Sequence, residues 1–284
     1  MTMPTVPANP TTQPLKPAAS PSPAKEPASI LGASATQLHA EIRQSFLNSA
    51  PEILVALRSQ SPVLVKGEVN TAQLPKLFEL YQTVHSLTGN AAIAGFTRIA
   101  QMSAALEALL KELFEEPENI NVSAVRTVAK AVDCLSGLFE PAAQPQADSA
   151  LPPILPPIIL VVDDEVISRQ VVCSALEMAN LRAISLDDPN VALKLLAENR
   201  FDLIFLDVEM PGKTGFELCS ELRALPANKS TPVVFVTSLT GFEARARSTL
   251  SGATDMIAKP FLLIELAVKA LTHLLKRHVK GEAK

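Results

Sequence analysis

Apolar residues recur at every third or fourth position over most of the first half of the chain. Such stripes begin at Leu77, at Ile99 and at Val125. This spacing places apolar side chains on one face of an α-helix. Two shorter helices are predicted on either side of Pro51, because proline is tolerated in a first helical turn but disrupts a helix interior. Residues 35–140 are therefore predicted to form an all-α helical bundle whose apolar faces pack inward.

The pattern changes after residue 157, where short apolar runs alternate with helical stretches. The predicted strands are residues 158–162, 182–185, 203–206, 233–236 and 256–258, and the predicted helices are residues 168–179, 189–199, 215–223, 242–251 and 262–276. This alternation predicts an α/β fold, a doubly wound five-stranded parallel sheet with helices on both faces. In such a sheet the reactive groups gather beyond the carboxyl ends of the strands.

Proline marks the predicted domain boundaries. Eight of the 23 prolines fall before residue 30, among Ala, Ser and Thr, and six more lie in a second short stretch. Because this composition cannot build an apolar core, residues 1–34 are predicted to be a disordered tail. Residues 141–156 are predicted to be an extended Pro-rich linker between the bundle at 35–140 and the α/β domain at 157–280.

Charge and cysteine content narrow the class of protein further. The net charge is −4 without a long basic stripe, which argues against nucleic-acid binding. The three cysteines are scattered, without a C-x-x-C pair, as in a protein of a reducing compartment. The longest apolar run, 154–162, contains two prolines and is far shorter than the ~20 residues that span a bilayer. We therefore expect a cytoplasmic protein that neither binds nucleic acid nor inserts into a membrane.

Polar residues follow four of the predicted strands. Asp163 and Asp164 end the first strand, Asp207 ends the third, Thr237 ends the fourth, and Lys259 follows the fifth. Converging carboxylates repel one another unless a hard cation lies among them, and oxygen ligands with open water positions suit Mg²⁺. The cation would offset the charge of an incoming phosphoryl group while Asp207 attacks it, and Lys259 and Thr237 would hold phosphoryl oxygens. These residues predict a phosphoryl-transfer site.

The order of these motifs resembles the receiver domain of bacterial response regulators across the whole second block. The matching motifs are the acid pair, Asp-Val-Glu-Met-Pro-Gly, Thr-Ser and Lys-Pro-Phe. The resemblance implies a flavodoxin-like fold in which Asp207 accepts phosphate, and Thr237 and Lys259 sense and hold it. The metal ligands that it implies are Asp163, Asp164, Asp207 and the backbone carbonyl of Glu209.

The chain departs from the family at Met256, where many receivers have an aromatic switch residue. Ile167, just after the acid pair, is either an exposed apolar contact for a phosphotransfer bundle or a partly buried helix residue.

His85 lies off the apolar stripe of its predicted helix. At about 100° per residue it falls roughly 120° from the centre of the stripe, so it should face solvent. Gly89 lies one turn later on the same face, where a glycine costs a helix up to ~1 kcal/mol and leaves the imidazole open to a partner. Glu107, one step beyond the core position Leu106 on the next long helix, would accept a hydrogen bond from one ring nitrogen. The other nitrogen would then be a free nucleophile.

The helical block resembles a histidine phosphotransfer domain of the type that opens chemotaxis histidine kinases. The matching runs are His-Ser-Leu-Thr-Gly from His85, Gly-Phe from Gly95 and Leu-Glu-Ala-Leu-Leu from Leu106. The resemblance implies that His85 accepts phosphate and that Glu107 orients its ring. The chain has Thr88 where the family commonly has a lysine, and Ala104 where it commonly has a second histidine.

Both blocks together predict a phosphorelay protein that is not an enzyme and has no kinase catalytic domain. It would take phosphate from a sensor histidine kinase and hold it on Asp207 or His85. The expected partners are that kinase, other phosphorelay proteins and components of a chemotaxis-like system. Two alternatives to this prediction stay open. In the first, the helical block is a non-phosphorylated docking module. In the second, the chain is a phosphatase-like hydrolase that uses an aspartyl phosphate.

Overall fold

The computed structural model describes the backbone of residues 28–66, 74–142, 156–239 and 241–279. The first helix begins at Ala28, within the predicted tail, and the rest of that tail lies outside the described residues, as does most of the predicted linker. The chain divides into two compact units, residues 1–40 and residues 41–284, and the second contains both the rest of the helical bundle and the α/β domain. Within the described part of the chain, no helix is long and apolar enough to cross a membrane.

The bundle consists of long helices joined by short turns. Its elements are α1 (Ala28–Lys66), α2 (Leu74–Ile93), α3 (Thr97–Glu115) and α4 (Val122–Ala142), with a 3₁₀ turn at Pro117–Asn119. The apolar stripes that the sequence predicts are the buried faces of α2 and α3. Gly95, in the left-handed region at φ +78°, makes the tight turn between these two helices. The Asn121 side chain accepts from the backbone N–H of Ala124 and caps the start of α4.

The prediction of two short helices around Pro51 is wrong. Helix α1 is continuous through Pro51, although proline cannot donate to the carbonyl of Leu47 one turn earlier. Phe46 and Leu57, on either side of Pro51, are both buried in the bundle core. Burying two side chains of this size contributes about 3–6 kcal/mol, which offsets the ~3 kcal/mol that a proline costs inside a helix.

The α/β domain contains a five-stranded parallel sheet. Its strands are β1 (Ile159–Val162), β2 (Ala183–Leu186), β3 (Leu203–Asp207), β4 (Val233–Thr237) and β5 (Asp255–Ala258), and its helices are α5 (Val166–Met178), α6 (Pro189–Glu198), α7 (Gly215–Ala224), α8 (Phe242–Leu250) and α9 (Leu263–Val279). All neighbouring strands are parallel, in the order β2-β1-β3-β4-β5. The predicted fold class, an all-α bundle followed by a doubly wound five-stranded α/β domain, is confirmed.

Helix α9 joins the two domains. It packs against α5 on one side and against α3 and α4 of the bundle on another. Its buried apolar residues, such as Leu266 and Leu271, belong to a core cluster that continues through the bundle and through one face of the sheet. The opposite face of the sheet has a separate core with α6 and α7. The bundle and the α/β domain therefore share one apolar core through α9.

Charged side chains are buried at this junction. Asp255, the first residue of β5, forms ion pairs with Lys130 of α4 at 2.8 Å and with Lys269 of α9 at 3.5 Å. The Nε2 atom of His273 on α9 lies 3.4 Å from the same carboxylate. We call these residues, together with Glu265, the α9 cluster. Because Lys130 comes from the bundle and the others from the α/β domain, the α9 cluster links the two domains electrostatically.

Glu265 makes the second connection to α4. Its Oε1 atom accepts from the hydroxyls of Ser123 at 2.6 Å and Thr127 at 3.0 Å. Further along the two helices, the Cys134 thiol lies 3.8 Å from the backbone carbonyl of Thr272. Helices α4 and α9 therefore run side by side in the same direction, in one register.

The pKa of the Asp255 carboxyl is held well below its usual range. Burial alone would raise this pKa, but the hydrogen bond from His273 and the positive charges of Lys269 and Lys130 outweigh burial. Because the folded-state pKa is lowered, ionised Asp255 stabilises the fold above the ordinary aspartate pKa of about 3.9. That stabilisation is lost as the pH falls below this value.

Asp255→Asn is expected to lower the free energy of unfolding at pH 7 by about 3 kcal/mol, because buried Lys269 would keep only the more distant carboxylate of Glu265, at 3.8 Å. Urea unfolding of both proteins measures the difference. It should be constant above about pH 5 and shrink below about pH 4, where the carboxylate of the unfolded wild type takes up a proton. Glu115→Gln, which removes half of the exposed Lys111–Glu115 pair, is the control and should change stability by less than about 0.5 kcal/mol. Equal effects of the two substitutions would contradict this account.

Candidate functional site

Three of the predicted functional side chains meet at the carboxyl edge of the sheet. Asp163 follows β1, Asp207 ends β3, and Lys259 follows β5. The Nζ atom of Lys259 donates to Asp163 Oδ2 at 3.0 Å and to Asp207 Oδ1 at 2.9 Å. Both carboxylates are almost fully buried, with Asp163 2% and Asp207 6% exposed. The strand order brings them together, since β1 and β3 are neighbours and β5 lies on the same side of β3 as β4.

Further hydrogen bonds fix the orientation of both carboxylates. Asp163 accepts from the Ser168 hydroxyl of α5 and from the backbone N–H of Glu165. Asp207 Oδ2 accepts from the backbone N–H of Glu209 at 2.7 Å. Each carboxylate therefore has one oxygen bound to backbone and the other bound to Lys259.

The other predicted site residues lie around this centre. Thr237 is buried at the end of β4, where its Oγ1 atom accepts from the backbone N–H of Leu239 at 3.1 Å. The Thr237 carbonyl accepts from the backbone N–H of Lys259 at 2.8 Å, which ties the end of β4 to the residue after β5. The side chains of Asp164 and Glu209 are exposed at the rim of the site.

The electrostatics of the site are dominated by burial and by the shared ammonium group. Burial raises the pKa of Asp207, the hydrogen bond and charge of Lys259 oppose this, and the neighbouring Asp163 raises the pKa further. Burial alone would lower the pKa of Lys259, but the hydrogen bonds and charges of Asp207 and Asp163 outweigh burial and raise it. Lys259 therefore stays charged between two carboxylates, and it does not fully offset their negative charge.

The donor set fits a small hard cation. Asp163 and Asp207 present carboxylate oxygens at a buried edge, and Asp164 adds an exposed carboxylate at the rim. Carboxylate oxygens combined with solvent-facing positions suit Mg²⁺. Lys259 spans the two buried carboxylates, and the described residues contain no preformed group of three or more acidic, histidine or cysteine ligands. A third carboxylate ligand would therefore have to turn inward from the rim.

The loop after Asp207 returns to the backbone of Asp207, and this contact requires a glycine. The backbone N–H of Gly215 donates to the Val208 carbonyl at 3.0 Å. A Cβ atom at position 215 would lie 2.0 Å from the backbone oxygen of Asp207. This distance is too short for any non-bonded contact, so only glycine fits without a shift of the backbone. Thr214 and Glu217 form a capping box that starts α7 at this point. Sequence reasoning identified Gly215 only as the start of a helix and missed this role.

His85 lies on the exposed face of α2, with 66% of its side chain exposed. Its Nδ1 atom is 2.7 Å from Glu107 Oε1 on α3. When Nδ1 donates to this carboxylate oxygen, Nε2 of the neutral ring carries the lone pair. The ring stacks on Tyr81, with the ring centroids 5.9 Å apart. A Cβ atom added at Gly89 would meet nothing within 4 Å, so the space beside the imidazole is open.

The two departures from the family pattern lie on this same face. The Thr88 hydroxyl donates to the Val84 carbonyl of its own helix at 2.9 Å, and Ala104 is exposed. Neither supplies a charge beside His85.

A row of aromatic side chains leads to His85, and sequence reasoning did not identify it. The Phe78 ring lies 5.2 Å from Phe114 and 6.2 Å from Tyr81, and Tyr81 stacks on His85. Phe78 and Phe114 are partly exposed. The spacing of Phe78, Tyr81 and His85, at three and four residues, is the signal that predicts such a row on one helix face.

The α5 helix presents an exposed apolar surface beside the acid pair. Ile167 is 68% exposed, and Val166 and Val171 on the same helix are also exposed. Of the two alternatives for Ile167, the exposed one is confirmed. Its use as a contact for a phosphotransfer bundle stays a prediction.

Two family profiles match the chain in this order. Residues 41–136 match the Hpt domain, and residues 159–271 match the response regulator receiver domain. The chain is therefore an Hpt domain fused to a receiver domain, and both resemblances drawn from the sequence are confirmed.

The chain is also similar to parts of curated proteins and to a solved structure. The chain is 36% identical over 111 residues to the phosphate regulon transcriptional regulatory protein PhoB of Escherichia coli (strain K12), which covers 39% of this chain and 48% of that protein. It is 33% identical over 138 residues to the sensor histidine kinase AruS of Pseudomonas aeruginosa, covering 48% of this chain and 13% of that protein. The solved structure of the Vibrio cholerae chemotaxis protein CheY4 is 33% identical, covers 42% of this chain and 99% of that chain, and has a TM-score of 0.40. The chain spans about half the length of the PhoB proteins that it matches.

This combination of domains fits a phosphorelay protein. Hpt and receiver domains are signalling domains that interact with histidine kinases and with other phosphorelay components. The fold, the two domain matches and the relatives therefore point to the same class of function.

Gly215→Ala is expected to lower the free energy of unfolding by about 1–3 kcal/mol, because the new methyl group must displace the Asp207 backbone. The same displacement should reduce phosphorylation of Asp207 by a small-molecule donor. Gly89→Ala is the matched control, since its methyl group enters open space in a helix and should raise stability by up to about 1 kcal/mol. Denaturant unfolding and a phosphorylation time course measure both effects. Wild-type behaviour of Gly215→Ala in both would contradict the proposed contact.

Proposed function

We propose that the protein is a cytoplasmic phosphorelay protein that carries phosphoryl groups on Asp207 and on His85. The observation that carries the proposal is that one chain contains both acceptors. Each acceptor forms a hydrogen bond with a side chain that can assist phosphoryl transfer. Asp207 is bonded to Lys259, and His85 is bonded to Glu107. Phosphate would arrive from a sensor histidine kinase and pass to a further phosphorelay protein. The domain limits proposed from the sequence, with boundaries at 34, 140 and 156, stay predictions.

Asp207 acts as the nucleophile in the receiver domain. Its carboxylate attacks the phosphorus of the donor, and the backbone N–H of Glu209 holds one of its oxygens during the attack. Lys259 then moves from the carboxylates to a phosphoryl oxygen. The Thr237 hydroxyl accepts from Leu239, so its proton is free to donate to a second phosphoryl oxygen.

The site would hold Mg²⁺ through the side chains of Asp163, Asp164 and Asp207 and the carbonyl of Glu209. When bound, the cation would neutralise charge on the transferred phosphoryl group. The excess of negative charge that remains beside Lys259 supports this assignment.

His85 acts as the nucleophile in the Hpt domain. The lone pair on Nε2 attacks the phosphorus, and the bond from phosphorus to the Asp207 oxygen breaks, with its electron pair returning to the carboxylate. Glu107 keeps the proton on Nδ1 and stabilises the positive charge that develops on the ring. The product is a phosphoramidate on His85.

The proposal predicts two chemically distinct phosphorylated residues in one protein. Wild type charged by a small phosphodonor with Mg²⁺ should show both base-labile and acid-labile phosphate, because an acyl phosphate and a phosphohistidine differ in this way. His85→Gln should lose only the acid-labile, base-stable fraction. Asp207→Asn treated with the same donor should lose both fractions, because His85 receives its phosphoryl group from Asp207. Label confined to base-labile phosphate in both wild type and His85→Gln would contradict His85 as an acceptor.

Gly89→Ala tests whether partners approach His85 across the open face of α2. The substitution should raise stability by about 0.5–1 kcal/mol, since alanine is the better helix former. It should slow transfer to His85 at least several-fold, because the methyl group stands where a partner reaches the imidazole. Urea unfolding and transfer kinetics measure the two effects separately. Faster or unchanged transfer, despite the gain in stability, would show that partners use another face.

A docking module that is not phosphorylated is the second candidate for the Hpt domain. It is favoured by Thr88 and Ala104, because neither supplies a charge that would attract phosphate to His85. This candidate predicts no phosphohistidine with any of a panel of histidine kinases and charged receivers. It also predicts that His85→Gln leaves partner binding intact.

A further inference from the structure

We propose that phosphoryl transfer between Asp207 and His85 takes place between two copies of this chain and not within one copy. The inference rests on the proposed function, since it concerns the same two acceptors. It follows from the way in which α9 holds the Hpt domain on the receiver domain.

The two acceptors do not meet in the folded chain. Asp207 bonds to Lys259 and Glu209 of the receiver domain. His85 bonds to Glu107 and stacks on Tyr81, both in the Hpt domain. Transfer requires the attacking nitrogen to approach the phosphorus to about 3–3.5 Å. Transfer within one chain therefore requires one domain to move relative to the other.

The α9 interface opposes that movement. Glu265 is 1% exposed and Lys269 is 2% exposed, and their partners on α4 include Thr127 and, through Asp255, Lys130. Separating α4 from α9 would break the ion pair between Lys130 and Asp255 and the hydrogen bonds from Ser123 and Thr127 to Glu265. It would also expose apolar residues of the core that the two domains share.

Each acceptor nevertheless lies beside a surface that a second molecule can reach. The exposed His85 ring stacks on Tyr81 on one side. The exposed residues one turn away on α2 and flanking Glu107 on α3 are small, namely Gly89, Ala104 and Ala108. A broad partner can approach such a face without steric conflict. On the receiver domain, Ile167 lies exposed just after the acid pair.

One chain carries both of these faces, so a second copy supplies the complementary partner. His85 and Ala108 on the bundle face and Ile167 on the α5 face are exposed, so α9 does not cover these positions. Two copies can therefore bring Asp207 of one against His85 of the other while both α9 interfaces stay intact. The Nε2–P bond forms on one copy as the P–O bond to Asp207 breaks on the other, so no further reactant is needed.

Mixing two full-length variants tests the proposal. His85→Gln, which keeps Asp207, is charged with a small phosphodonor and Mg²⁺ and freed of donor. It is then added to Asp207→Asn, which keeps His85 and carries a mass tag. The expected result is acid-labile phosphate on the tagged chain, appearing at a rate that rises in proportion to concentration. In wild type the same transfer should also depend on concentration.

The outcomes separate this inference from the proposed function. Transfer in wild type that is independent of concentration, with no transfer in the mixture, overturns the inference and leaves the relay standing. No phosphohistidine in either experiment, while Asp207 is charged, overturns the relay and the inference together.

A second variant tests the role of the α9 interface directly. Lys130→Glu places a carboxylate against Asp255 and should loosen the interface in a chain that keeps both acceptors. A concentration-independent phase of transfer should then appear beside the concentration-dependent one. Lys111→Glu, at an exposed position on α3, is the charge-matched control and should add no such phase. Identical kinetics for both variants and wild type would contradict the α9 interface as the barrier.

Discussion

Helix α9 is buried from two sides, and this constraint determines how the two domains are arranged. One side closes the sheet of the receiver domain, and the other packs on α3 and α4 of the Hpt domain. Lys269 and Glu265 are charged residues on a buried surface, where an unpaired charge is strongly unfavourable. They are tolerated because Asp255, Ser123 and Thr127 stand opposite them. Hydrogen bonds and ion pairs require specific partners at specific distances, so they fix the register of α4 on α9. Apolar packing alone would define this register less well.

The same principle, charge placed where only a specific partner can satisfy it, governs the phosphoryl-transfer site. Asp163 and Asp207 are buried side by side, and Lys259 lies between them. One ammonium does not offset two carboxylates and an incoming phosphoryl group, so the site retains a demand for positive charge. Under the proposed function, Mg²⁺ binding and movement of Lys259 onto the phosphoryl group would both meet that demand. The chemistry of the receiver domain thus follows from the strand order, which places these three side chains at one edge.

The strands, the residues at the sheet edge and the contact between His85 and Glu107 could be predicted from the sequence, because each depends on a local pattern of residues. The strands are short continuous apolar runs, and residues at their ends must gather at one edge of a parallel sheet. The contact between His85 and Glu107 follows from helical periodicity on two neighbouring helices. In contrast, the continuous helix through Pro51 depends on how Phe46 and Leu57 are buried on either side, and a local rule for proline cannot include that.

The junction between the domains could not be predicted for a similar reason. Glu265, Lys269 and His273 recur at four-residue intervals, which is the pattern of a solvated helix face. Only the folded chain shows that α4, from the Hpt domain, covers this face. The close approach of Gly215 to Asp207 is also a tertiary contact, and its sequence signal is a single glycine at a helix start.

The most direct measurement of this account is the distance between the two domains in solution. Spin labels on Ser86→Cys of α2 and Gln170→Cys of α5, both exposed positions, would be placed in a chain with Cys173 replaced by alanine. Cys134 and Cys219 are buried. Pulsed electron paramagnetic resonance should give one narrow distance distribution that stays unchanged when Asp207 is charged, because the α9 interface remains closed. The labelled chain is diluted with an excess of unlabelled chain, so that only distances within one copy are measured. A broad distribution, or a new short distance after charging under this dilution, would show that the Hpt domain moves freely on the receiver domain and would contradict the central claim.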